Sequence, residues 1–127
     1  MPKESDLYAP LIAGANREGW RLFRIEDGSW GRKVADIAGI TSTGRGVLVE
    51  VKIGNGPLRA NQEAWLKEYE AKGGLGLIAR YQNGNMCLFR YGHPIVSGYV
   101  MRMNRFGEYI DWSGMEEYYE DNGHNSG

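Results

Sequence analysis

Apolar residues recur along the first part of the chain with two different periods. Leu7, Leu11 and Ala15, flanked by Tyr8 and Ile12, form a stripe at helical spacing, and Gly19 would end that helix. Pro10 lies inside it, where its ring and missing N–H predict a kink or a late helix start. Residues 20–25 read as a short strand, closed by the turn signal Glu26-Asp27-Gly28-Ser29. Residues 34–40 and 47–53 read as two strands around a turn from 41 to 46 that holds Gly44 and Gly46. A loop rich in glycine, 54–57, leads into a helix over 58–72 built from strong helix formers and stopped by Gly73-Gly74. Its apolar stripe is Leu58, Trp65, Leu66 and Tyr69. Residues 75–81 form an apolar strand. Beyond them come further short strands, with turns at 83–84, 92–94 and 104–107.

The resulting order is helix, three strands, helix, strand. It predicts a mixed α/β fold with one face of the sheet covered by helices. The 127 residues suit a single domain: a core over about 4–81, an extension over 82–120, and a tail over 121–127 of disordered composition. No apolar run approaches membrane-spanning length, and no secretory leader is recognisable at the N-terminus. The single cysteine, Cys87, excludes an internal disulfide and a cysteine-based zinc cluster, which suits a cytoplasmic protein with no membrane partner.

Charge refines this picture. The net charge is −1, but residues 1–107 hold all 15 Lys and Arg against 10 Asp and Glu, a net of +5. Residues 108–127 hold six acids and no base. A mildly basic body that can attract phosphates therefore ends in an acidic tail. A solvated tail on a neutral protein fits the charges equally well.

The candidate chemistry lies in the 34–53 hairpin. Antiparallel partners have residue numbers of constant sum, here about 86, which sets Asp36 opposite Glu50. Glu50 and Lys52 share a face by alternation, with Val49, Val51 and Ile53 on the other, and Asp36 would project beside them unless a bulge at Gly44 or Gly46 shifts the register. Opposed carboxylates on an apolar sheet are costly, and a hard divalent cation such as Mg²⁺ would relieve them. Such a cation can polarise a phosphate and acidify a water, while Lys52 steadies developing charge. A surface salt bridge between Glu50 and Lys52 is the alternative. The same carboxylate-x-Lys pattern recurs at Glu70-Ala71-Lys72, which reads as a solvated helix face. Gln62 falls on the inward stripe of the second helix, where it could reach the carboxylates or merely cap the 54–57 loop. Arg32, Lys33, Arg45 and Arg59 flank the site in sequence and could hold phosphates of DNA without reading bases.

Four elements in order, Gly31-Arg32-Lys33-Val34-Ala35-Asp36-Ile37, Gly46-Val47-Leu48-Val49-Glu50-Val51-Lys52, Asn61-Gln62-Glu63-Ala64-Trp65-Leu66 and Gly73-Gly74, resemble the VRR-NUC nucleases of the PD-(D/E)xK superfamily, relatives of the Holliday junction resolvases. The resemblance spans roughly residues 4–81. It implies a restriction-endonuclease-like αβββαβ core, a central mixed sheet flanked by helices with a C-terminal β-rich extension, and Mg²⁺- or Mn²⁺-dependent cleavage of DNA. By the same resemblance Asp36, Glu50 and the Val51 carbonyl hold metal, Lys52 assists the nucleophile, Gln62 supports the site, and Glu4, with Asp6 as rival, completes it. The proline that precedes the aspartate in the family is Ala35 here, a change in strand shape and not in chemistry. The expected activity is a structure-selective endonuclease acting on branched or duplex DNA in recombination and repair, from a phage or mobile element, and working as a homodimer where two strands are cut. Two alternatives remain at this stage: a non-catalytic nucleic-acid-binding module, and an inhibitor domain whose acidic tail mimics DNA.

Overall fold

The computed structural model describes residues 3–26, 35–82, 84–93, 95–103 and 108–119. A 3-10 turn, Glu4–Leu7, runs into helix α1, Tyr8–Arg17. Pro10 is the third residue of α1, within the first turn, where a helix does not depend on the missing N–H; this is the late start that the sequence suggested. Strands β1 (Arg21–Arg24), β2 (Ile37–Ile40) and β3 (Gly46–Ile53) follow, then helix α2 (Ala60–Ala71) and strands β4 (Leu75–Gln82), β5 (Asn85–Arg90), β6 (Ile95–Met103) and β7 (Tyr109–Tyr119). The seven strands form one sheet in chain order. Among the described residues only the β3–β4 pair is parallel, and α2 is the crossover that such a pair requires.

The helices lie on opposite faces of the sheet, where a single covered face was expected. Leu11 and Ala15 of α1 pack with Val47, Val49, Val51, Leu75, Leu77 and Ala79. Leu66 of α2 packs with Leu48 and Ala35, with Leu58, Tyr69 and Ile78 around them. The cause is visible in β3 and β4, which are apolar at successive positions rather than alternate ones and so need cover on both sides. Close approach of α2 depends on Gly76, where a Cβ would stand 2.6 Å from the Leu66 carbonyl oxygen. Gly73, at φ +91°, makes the left-handed turn that stops α2.

Two further expectations change. The β-rich extension expected over 82–120 is present as β5, β6 and β7; β7 is the sheet's last strand, so what changes is that the acids of 108–119 lie within the sheet and not in a solvated tail. The aromatic residues of β7 favour a strand, and its acid Asp111 pairs across β6–β7 with Arg102. Residues 121–127 lie outside the described residues, as do 31–34. The β5–β7 strands, of 6, 9 and 11 residues, are also longer than the short strands expected. No helix among the described residues is long and apolar enough to cross a membrane.

Glu70 is likewise no solvated residue. Its side chain is 13% exposed and forms an ion pair with Arg90 at 2.7 Å. It also accepts from the Gly76 N–H at 2.9 Å, and His93 Nε2 lies 3.1 Å away. The folded chain brings β5 and the segment after it over the last turn of α2, which helical spacing alone does not reveal. Burial by itself would raise the Glu70 pKa, but the Arg90 hydrogen bond, the Gly76 N–H, His93 and the Arg90 charge outweigh it and hold the carboxyl below its ordinary value. A depressed folded pKa means that the carboxylate's stabilisation is complete above the ordinary glutamate value, about pH 4.5, and is lost as pH falls through the lower folded value. Glu70→Gln is therefore expected to cost about 1–3 kcal/mol at pH 7, with the gap from wild type narrowing below about pH 4.5. Urea denaturation at pH 7 and at progressively acid pH measures both; a gap that stays constant with pH would show that the charge contributes nothing.

Candidate active site

The hairpin register is the one expected. Ile37 stands opposite Val49 and Ile40 opposite Gly46, so one step further sets Asp36 level with Glu50. The orientation of Asp36 differs from the expectation. The β2 ladder stops at Ile37, and the Asp36 side chain turns toward the β3 backbone, where its Oδ2 accepts the Val51 N–H at 2.8 Å. The backbone of Asp36 is held from both sides: its N–H donates to the Val49 carbonyl at 3.2 Å, and its own carbonyl accepts the Ile25 N–H at 3.0 Å. The carboxylate thus takes the place of a ladder acceptor, which explains why the strand ends where the acid begins.

Glu50 and Lys52 alternate with Val49 and Val51 and so lie on the α2 face of β3. Asp36 is 7% exposed, Glu50 2% and Lys52 8%. That burial removes the surface salt bridge as an account of Glu50 and Lys52. The Lys52 stem runs beside Gly56 of the loop that leads to α2. Val51 presents its N–H to Asp36, and because N–H and C=O of one strand residue point to the same edge, its carbonyl faces that edge too.

Tyr8, which the sequence reading placed only beside an apolar stripe, is a member of this group. It is buried in the first turn of α1, and its hydroxyl donates to the Asp36 carboxylate. Burial raises its pKa most, followed by that hydrogen bond and by the negative charges of Asp36, Glu4 and Glu50. The signal for it was position: Tyr8 is next to Leu7 on the helix that faces β3. Of the two N-terminal acids, Asp6 caps its own turn by accepting the Lys3 N–H at 3.0 Å, whereas the charge of Glu4 is felt at Tyr8. Among the described residues no three His, Cys, Asp or Glu gather into a metal-holding group.

The remaining expected residues are scattered. Gln62 is half-buried on α2, and its Oε1 accepts the Arg59 N–H at 2.9 Å, so its carbonyl serves the start of the helix. Trp65 is 43% exposed and does not share the inward stripe. It is one residue, or about 100° of helix rotation, from the buried Leu66. Arg59 is exposed just before α2. Arg45 does not flank the carboxylates: it precedes the other end of β3, where Nε donates to the Gly73 carbonyl at 2.8 Å and Nη2 to that of Gly74 at 3.3 Å. Arg32 and Lys33 lie outside the described residues. A cavity of about 500 Å³ lined by Arg45, Gly46, Trp65 and Tyr69 also sits at that far end of β3, away from the buried acids. A second residue missed from sequence is Arg80 of β4, paired in register with Lys52. Its Nη1 donates to the carbonyls of Gly54 and Gly56 at 2.9 and 2.8 Å. A lone cation in an otherwise apolar strand was the available signal.

A mixed sheet with a parallel β3–β4 pair, helices on both faces, and a buried carboxylate on its third strand matches a restriction-endonuclease-like fold. No protein-family model matches the sequence, and no curated protein matches it. Among solved structures, the fold is similar to that of Hjc, a Holliday junction resolvase from the archaeal hyperthermophile Archaeoglobus fulgidus, with a TM-score of 0.54. Identity is 15%, over 68% of this chain and 75% of the resolvase. The chain has a resolvase-like fold.

The Tyr8–Asp36 bond gives a direct test of the site's construction. Tyr8→Phe keeps the ring but removes a donor to a buried carboxylate, and is expected to destabilise the metal-free protein by about 1.5–3 kcal/mol. The same substitution in an Asp36→Asn background should cost clearly less, since the two residues interact directly. Urea denaturation of the four proteins in EDTA reads the coupling; fully additive effects would show that Tyr8 does not act on Asp36.

Proposed function

We propose that this protein is a metal-dependent deoxyribonuclease of the PD-(D/E)xK type, similar to the VRR-NUC nucleases, that hydrolyses phosphodiester bonds in branched DNA. The observation that carries the proposal is the burial of Asp36, Glu50 and Lys52 together on and beside the C-terminal half of β3, within a resolvase-like fold. A fold of this kind does not by itself specify chemistry, so the argument rests on those residues.

The donor set fits Mg²⁺ or Mn²⁺. Two carboxylates and the Val51 carbonyl are hard oxygen donors, and Mg²⁺ characteristically takes one or two carboxylates while keeping waters and phosphate oxygens. Glu4, whose charge acts on Tyr8, would be the further acid from the N-terminal turn. When bound, the cation would supply positive charge at the phosphate and lower the pKa of the attacking water. The chain's own residues do the rest. The Val51 N–H and the Tyr8 hydroxyl fix where the Asp36 oxygens point. Lys52, a donor-only cation whose stem is confined beside Gly56, would orient the water or steady charge on the phosphate. The Gln62 amide nitrogen, on the same side of the sheet, would donate to a phosphate oxygen while its carbonyl remains on Arg59. Arg59, Arg32 and Lys33 would hold flanking phosphates.

The basic charge of residues 1–107 suits a polyanionic substrate, and the single set of acids suits one cut per chain. Paired cuts across a four-way junction would then come from two copies related by a two-fold axis. A cytoplasmic enzyme of a phage or mobile element, acting in recombination or repair, is the setting that we infer.

The test is cleavage of a four-way junction, a flap, a linear duplex and single-stranded DNA with Mg²⁺, Mn²⁺ or EDTA. Cleavage that requires metal, prefers a branched substrate, and falls about 100-fold or more in Lys52→Ala and Asp36→Asn is expected. Folded wild-type protein that binds these DNAs but cuts none of them with either metal would establish instead a binding module on a nuclease-like fold.

A further inference from the structure

We infer that Arg80 is a second phosphate-holding cation of this site, set beside Lys52 by the parallel register of β3 and β4. The inference rests on the nuclease reading above and extends it to a residue outside the Asp-Glu-Lys set.

Lys52 and Arg80 are in-register partners on neighbouring strands. Their predecessors, Val51 and Ala79, both point into the α1-side core, so both cations point to the α2 face, next to the row of Glu50 and Ile78. Adjacent strands stand about 4.8 Å apart, and like charges side by side at that spacing repel. Lys52 is buried and Arg80 is half-buried. No ion pair to either is present among the described residues, and the one influence on the Arg80 pKa is burial, which lowers it. Glu50 and Asp36 supply negative charge on the Lys52 side, but Arg80 has no ion pair among the described residues and can take an anion from outside the chain.

The geometry of the guanidinium says which anion. A guanidinium has five N–H groups. In Arg80 Nη1 is occupied, bridging the Gly54 and Gly56 carbonyls, whereas Nε and Nη2 donate to no group among the described residues. Those two nitrogens form one edge of the fork, the edge that grips a phosphate through two parallel hydrogen bonds. The Nη1 contacts fix that edge in place, because they hold the guanidinium against a loop anchored in turn by the Gly54 N–H on the Tyr81 carbonyl at 3.1 Å. The occupant is a backbone phosphate of the DNA strand, lying beyond Lys52 on the side of the loop.

A purely structural Arg80 would also fix the 54–56 loop, and the experiment separates the two roles. Binding of a four-way junction is measured in EDTA, without cleavage, across a series of salt concentrations. Arg80→Gln retains amide N–H donors for the loop carbonyls but removes the charge; Arg80→Lys retains the charge but loses the fork. A phosphate contact predicts that Arg80→Gln reduces the magnitude of the slope of log K against log salt by about 0.9, while Arg80→Lys keeps the wild-type slope with weaker binding. A wild-type slope in folded Arg80→Gln overturns the inference and leaves the nuclease reading standing. Absence of DNA binding by the wild-type protein at every salt concentration overturns both.

Discussion

The central constraint on this molecule is that one strand must serve a hydrocarbon core and hold ionisable groups away from water at the same time. Val47, Val49 and Val51 of β3 are sealed under α1, while Glu50 and Lys52 alternate with them on the other side. Removing a single charge from water costs several kcal/mol unless something offsets it. The surroundings of β3 are arranged around that cost. β2 ends one residue short of Asp36, so that an acid side chain, and not a strand amide partner, meets the Val51 N–H. α1 contributes a phenol to the same acid, and the loop after β3 is drawn over the Lys52 stem.

The polarity of the β3–β4 pair determines which end of the sheet can do chemistry. In open α/β sheets ligands gather outside the carboxyl ends of parallel strands, where the crossover loops leave room and backbone groups are unpaired. Glu50, Lys52 and Arg80 all fall in the C-terminal halves of β3 and β4, and the 54–59 segment begins there. The cavity near Trp65 lies at the amino ends, where Arg45 is already engaged with the turn at Gly73 and Gly74. Its volume is ample, but its walls offer no buried acid. Concavity and chemistry are therefore separated along the length of the same strand.

Local spacing made much of this legible before any coordinates. The β2–β3 register follows from the length of one turn, and side-chain alternation follows from the strand itself, so Asp36, Glu50 and Lys52 could be brought to the same stretch of β3 from sequence. The same holds for the end of α2 at Gly73, since few residues other than glycine accept its backbone angle. What sequence did not disclose depended on partners distant along the chain. Trp65 and Leu66 are equally apolar, and only the position of the sheet decides which one is buried. Glu70 looked solvated because Arg90 and His93 are about 20 residues away. The acids of 108–119 read as a tail because net charge was counted without the aromatic strand that carries them. Tyr8 and Arg80 carried only weak signals for the same reason: their contacts are with Asp36 and with the 54–56 loop, not with their neighbours in sequence.

The likeness to a Holliday junction resolvase at 15% identity is physically reasonable, and it indicates where function must be sought. A core of valines, leucines and alanines can be filled in many ways at nearly constant volume, so the same layers persist while almost every residue changes. A buried carboxylate has far fewer substitutes, because each must find donors, a cation or a proton. In this chain Asp36 has found two donors, and Glu50 and Lys52 have been kept in a layer where apolar residues of similar size would pack without penalty. Replacing a buried charged group by a hydrophobic one is often neutral or stabilising. Stability alone therefore gives no reason for an acid and a lysine to occupy the centre of β3, whereas the proposed reaction on a phosphodiester would.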